Sequence, residues 1–176
     1  CIRDRCPDFA QVASDKKAYA KATRQQYDQQ DEIYGKTVIQ RHGKQMLVQN
    51  PPALSLTQEE LDAVYQLPFQ RKPHPMYDAQ GGVPGIAEVQ FSIAHNRGCF
   101  GYCNFCSIAL HQGRRVTCRS EESILKEAKQ ITEMPNFKGY IHDVGGPTAN
   151  FRAPSCKKQL TKGLCKGKKC LAPEIC

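Results

Sequence analysis

With 176 residues, 40% of them hydrophobic and 24% charged, the chain is long enough to bury a core and has no uninterrupted apolar run that could span a membrane. Its formal net charge of +8 admits acidic partners, nucleic acid among them. Ten cysteines without a basic, then apolar, export signal point to metal binding in a reducing, cytoplasmic compartment and away from a disulfide framework.

In chain order, Ser14 to about Gln30 is rich in Ala, Lys and Gln, with Tyr19 and Tyr27 eight apart, and predicts a surface helix. Val38 and Ile39, then Met46 and Val48, flank Arg41-His42-Gly43-Lys44 and predict a hairpin, which Pro51-Pro52 ends. Thr57 and Glu60 form a capping box ahead of Leu61, Val64 and Tyr65 in a short helix. Prolines and glycines from Gln70 to Gly85 predict an irregular linker or lid. Val89, Phe91 and Ile93 alternate with polar or small neighbours, a strand that would run into Asn96-Arg97-Gly98. Ser120 as N-cap, Glu121 and Glu122 at the positive end, and a stripe of Ile124, Leu125, Ala128 and Ile131 predict a helix stopped by Pro135. Tyr140 to Val144 reads as a buried strand, so strand, loop, helix and strand make one βαβ unit.

The loop between strand and helix carries the chemistry. Cys99, Cys103 and Cys106 stand in the run Cys-Phe-Gly-Tyr-Cys-Asn-Phe-Cys and supply three thiolates. A closed structural zinc site takes four ligands, whereas a [4Fe-4S] cubane held by three cysteines keeps one iron open to an outside ligand. Gly98 and Gly101 remove bulk where backbone must wrap a cluster, and Phe100, Tyr102 and Phe105 are expected to shield the sulfurs from water. His95 and His111 flank the motif and read as loop hydrogen-bonding groups, the alternative being zinc ligands or cluster neighbours.

Cys-x3-Cys-x-aromatic-Cys after a strand resembles the signature of radical S-adenosylmethionine (SAM) enzymes. Together with Gln49-Asn50-Pro51-Pro52-Ala53-Leu54, His74-Pro75-Met76-Tyr77, Arg97-Gly98-Cys99-Phe100-Gly101 and His142 to Asn150, it resembles the YgiQ family of radical SAM proteins over most of the chain. The resemblance implies that the open iron chelates the amino and carboxylate groups of SAM. A reduced cluster, fed by a low-potential electron donor, then cleaves SAM to a 5′-deoxyadenosyl radical that acts on an unknown substrate. It implies a partial, TIM-like (β/α) barrel, here an α/β chain that begins it, and assigns Gly145-Gly146 to the methionine part of SAM. Many members carry an acidic residue after these glycines; Pro147 and Thr148 stand there instead, leaving Asp143 as the nearby carboxylate and, with His142, a candidate catalytic pair.

The reading divides the chain into a pre-barrel helix, hairpin and linker (1–86), the first βαβ part of the barrel (87–154) and a Cys-rich tail (155–176). Because the chain starts at Cys1 and ends within a cysteine cluster, it reads as a piece of a longer protein that holds the later strands. In the tail, Cys156, Cys165, Cys170 and Cys176 supply four thiolates, enough for a second iron-sulfur cluster or a zinc ion. Cys1, Cys6 and Cys118 lack partner spacing and read as plain thiols. Arg152 with Lys157, Lys158, Lys162, Lys166, Lys168 and Lys169 makes the tail basic, which supports a rival reading as a zinc module that binds nucleic acid. A further rival is a non-catalytic iron-sulfur electron carrier. Neither rival needs Gly145-Gly146 or an open iron.

Overall fold

The computed structural model describes residues 3–154, 156–166, 169–172 and 174–176; Cys1 and Lys168 lie outside them. Two compact units build the chain: Cys1–Ser55, Gly98–Arg115 and Pro154–Cys176 form the first, and Leu56–Arg97 with Val116–Ala153 the second.

In the first unit, β1 (Arg3–Arg5) lies parallel to β2 (Thr37–His42), which pairs antiparallel with β3 (Gln45–Gln49) in register Val38 to Gln49. The hairpin is the expected one, and Gly43 at φ 60 supplies its left-handed corner. β1 had no signal, since three residues show no periodicity. The expected surface helix is α2 (Lys16–Asp28), and a further helix, α1 (Phe9–Ser14), precedes it. They part at Asp15, whose extended backbone ends α1 and whose carboxylate accepts the N–H of Lys17 at 2.9 Å as the N-cap of α2. The core is small, with Cys6, Ala22 and Val38 buried together and Val12 packed against them.

Two carboxylates then tie distant segments of this unit together. Asp31, 7% exposed, accepts the N–H groups of Ile33 and Tyr34 on Oδ1, at 2.7 Å each, and that of Leu164 on Oδ2 at 2.5 Å. Glu32 takes Arg115 on one oxygen at 2.7 Å and the N–H and hydroxyl of Ser55 on the other.

In the second unit, α3 (Gln58–Tyr65) carries the predicted capping box, with Thr57 Oγ1 accepting from the Glu60 N–H and Glu60 accepting from the Thr57 N–H. The stretch expected to be irregular contains a 3-10 helix (Pro75–Gln80) and ends at α4 (Ile86–Val89). The strand expected from Val89 starts later, as β4 (Ser92–Ala94), because α4 takes up Val89 and leaves it exposed. β5 (Asn96–Arg97) pairs antiparallel with β6 (Thr117–Cys118). α5 (Ile108–Gln112), in the first unit, lies between them in sequence. α6 (Glu121–Thr132) has Ser120 as N-cap and ends before Pro135. β7 (Asp143–Gly145) is shorter and later than expected, since it can pair only across the three residues of β4; the pairing is parallel, the predicted βαβ connection. α7 (Gln159–Lys162) belongs to the tail in the first unit.

Ile131 of α6 is fully buried against Phe91 and Ile93, with Ile124 and Ala128 beside them, so the stripe is real except for Leu125, which is exposed. Charge, however, positions α6 more than apolar contact does. Glu127 pairs with both Arg71 and the fully buried Arg119. Arg119 also donates to the Ala94 carbonyl at 3.0 Å and to Ser123, and lies 4.1 Å above the Tyr65 ring. Arg71 donates to the carbonyls of Gln90 and Ser92 at 2.8 and 3.2 Å.

Removing one partner of a buried ion pair leaves uncompensated charge, which costs about 3 to 5 kcal/mol. Glu127→Ala is therefore expected to lower stability by that amount in denaturant titration, well beyond Glu121→Ala on the exposed face of the same helix.

Candidate functional site

The cysteine loop leaves β5 through Gly98, whose φ of 81 is a left-handed turn that a side chain would strain. Cys99 then donates its N–H to the Gly113 carbonyl at 3.0 Å, closing the loop onto the end of α5, and Cys106 donates to the Cys103 carbonyl at 3.1 Å. A Cβ on Gly101 would meet Cys99 Sγ at 3.4 Å, Leu171 at 3.6 Å and Cys103 Sγ at 3.7 Å. Two of the three thiols therefore border one glycine, and a residue of the tail packs beside them. Cys99 is buried, Cys106 half-buried and Cys103 exposed, and all three are free thiols.

The expected aromatic shield is only partly present. Tyr102 is buried, at a φ of 52, and Phe100 is half-buried, but Phe105 is 92% exposed. Tyr102 donates its hydroxyl to the Tyr27 carbonyl at 3.3 Å, and Arg114 lies 4.2 Å over its ring. Burial is the chief cause that pushes the Tyr102 phenol up to about 12, against an opposing pull from Arg114.

Gly145-Gly146 closes β7. A Cβ on Gly145 would meet Asp143 Oδ2 at 2.7 Å, a side-chain end that can move aside, whereas one on Gly146 would meet the Ala149 carbonyl at 2.6 Å and the Asn96 side chain, so Gly146 requires glycine. Asp143, exposed, opens β7 instead of ending it, with its carboxylate beside Gly145. His142 precedes the strand, its N–H donated to the Phe91 carbonyl and its ring 4.9 Å from Tyr140. Sequence reasoning passed over Asn96. It is 1% exposed, and neither its Nδ2 nor its Oδ1 has a hydrogen-bond partner among the described residues; Nδ1 of buried His95 is likewise unpartnered.

In the tail, Cys156, Cys165 and Cys176 carry free thiols; Lys158 Nζ lies 3.5 Å from Cys165 Sγ, Gln159 Nε2 lies 3.6 Å from Cys170 Sγ, and Cys176 donates its N–H to the Cys170 carbonyl. Cys118 is half-buried, donates to the Phe151 carbonyl at 3.2 Å, and has its thiol pushed up by burial, as an inert thiol should. Among the described residues, no three His, Cys, Asp or Glu side chains converge closely enough to hold a metal ion, in the loop or in the tail. A single ion needs ligands about 2.3 Å from one point, whereas a cubane carries its irons at separate corners and takes thiolates that stand further apart. Three free thiols on one loop are, as a donor set, of the chemistry that a cubane takes.

The Radical SAM N-terminal family model matches residues 3–92. The chain belongs to this family. Its membership agrees with the motif resemblance to YgiQ radical SAM proteins. UPF0313 proteins from Clostridium perfringens and Clostridium botulinum are similar to it, each 55% identical over 170 residues, or 97% of this chain, and 26% and 27% of the respective relatives. The chain thus spans about a quarter of the length of the curated relatives it matches. No solved structure matches it. The architecture is mixed α/β, and among the described residues no helix is long and apolar enough to cross a membrane.

Free tyrosines ionise near pH 10. In a spectrophotometric titration the Tyr102 phenol is expected to ionise about two pH units above that value, and Tyr102→Phe should remove this late step. Because the folded value is the raised one, the stability Tyr102 contributes is complete below pH 10 and declines as the pH rises toward 12.

Proposed function

We propose that the chain is the N-terminal part of a radical SAM enzyme in which Cys99, Cys103 and Cys106 hold a [4Fe-4S] cluster and Gly145-Gly146 borders the methionine part of SAM. The observation that carries this reading is the loop of three free thiols, two of them against Gly101, in a chain of the Radical SAM N-terminal family. When bound, such a cluster supplies the single electron consumed in reductive cleavage of SAM.

The chain's own residues would bind, orient and exclude water. Three thiolates leave one coordination position open, and Gly101 keeps the loop backbone close to the sulfurs. Leu171 and the buried Tyr102 withhold water from one side of the loop. The Asn96 side chain and the Ala149 carbonyl fill the space beside Gly146, and buried Asn96 keeps a donor and an acceptor without a hydrogen-bond partner among the described residues, groups that would serve the amino and carboxylate groups of SAM. Asp143, against Gly145, would supply the carboxylate that Pro147 and Thr148 do not, and His142 is the other candidate. β4 and β7, parallel and joined through α6, would be the first strands of a partial barrel. Cys156, Cys165, Cys170 and Cys176 would hold a second cluster or a zinc ion, and a low-potential donor would reduce the protein in a cytoplasmic, reducing compartment.

Cys103→Ala is expected to remove the visible absorbance of the first cluster after anaerobic reconstitution, while metal at the tail stays. Iron content equal to that of the unaltered chain would sink the ligand assignment.

A further inference from the structure

A cavity of about 860 Å³ opens in the first unit, within the size range of small-molecule sites, and all of its described lining residues belong to that unit. One wall is a face of α2, where Tyr19, Thr23 and Tyr27 recur at a spacing of four. Tyr102, on the cysteine loop, packs on Tyr27 with ring centroids 4.9 Å apart, and Arg114 lies 4.2 Å over its ring. At the rim, Tyr34 is half exposed with Lys166 5.9 Å from its ring.

The lining is cationic as well as aromatic. Arg24, Lys36, Arg114, Lys166 and Lys169 face only two carboxylates, Asp28 and Asp31. Asp28 pairs with Arg24 at 3.0 Å, and Asp31 accepts three backbone N–H groups, so neither forms an ion pair with the lysines. Lys36, Lys166 and Lys169 have no carboxylate within ion-pair distance among the described residues, and Lys169 holds only the Asn104 side chain.

We propose that this cavity binds a nucleotide unit, the base stacked on the tyrosine rings and the phosphate held by Lys36, Lys166 and Lys169. Flat aromatic faces beside unpaired cations suit a planar ring joined to an anion, whether in a free mononucleotide or in a single strand. The positive excess disfavours SAM, whose sulfonium is itself a cation.

The test is isothermal titration calorimetry of the 176-residue chain without added iron, so that failure of the cluster reading leaves its outcome intact. The probes are adenosine monophosphate, adenosine, inorganic phosphate, SAM and a single-stranded oligouridylate. Adenosine monophosphate is expected to bind at least tenfold tighter than adenosine or phosphate. Lys36→Gln with Lys166→Gln, both at exposed positions, should weaken binding about tenfold, and Tyr27→Leu should remove the preference over phosphate. Tighter, salt-dependent binding of the oligouridylate would identify a strand as the source, and equal or weaker binding a free nucleotide. No binding of either, affinity unchanged in the lysine variant, or displacement of adenosine monophosphate by SAM would overturn the proposal.

Discussion

Glu127 is the charge on which the second unit depends. Its two oxygens face two guanidinium groups, and Arg119 is removed from water altogether, an arrangement that is tolerable only while the carboxylate and the surrounding acceptors are in place. The pairing sets more than one helix. Arg119 fastens α6 to the Ala94 carbonyl at the end of β4, Arg71 fastens the preceding segment to Gln90 and Ser92, and Tyr65 of α3 covers the guanidinium. β4 is thereby held as the partner of β7, which brings Gly146 against Asn96.

The first unit solves a related problem with very little apolar material. Its buried cluster has only Cys6, Ala22 and Val38 at its centre, so carboxylates perform the long-range cross-linking. Asp31 ties the turn after α2 to Leu164 in the tail, and Glu32 ties the same turn to Arg115 and Ser55. The tail is thus part of this fold, with Leu171 packed at Gly101 of the cysteine loop.

Local signals in the sequence were the legible ones. The Thr57 and Glu60 capping box, the Ser120 N-cap, the hairpin at Gly43 and the parallel βαβ connection follow from patterns a few residues long. Strand limits were less legible, because the length of β7 is set by the three residues of β4 opposite it. The charged hubs were illegible: Glu127 lies in a stretch that reads as an ordinary amphipathic helix, and the acceptors of Arg71 and Arg119 are carbonyls that no pattern announces. Spacing likewise names Cys99, Cys103 and Cys106, but that Phe105 faces solvent while Tyr102 is buried depends on Tyr27 and Arg114, far away in sequence or across the loop.

The central claim is that three thiolates leave one iron open to SAM. Electron paramagnetic resonance of the anaerobically reconstituted, reduced protein, recorded with and without SAM, tests it most directly. The account predicts a reduced [4Fe-4S] signal that shifts when SAM is added; a signal indifferent to SAM, or stoichiometric zinc in place of iron, would contradict it.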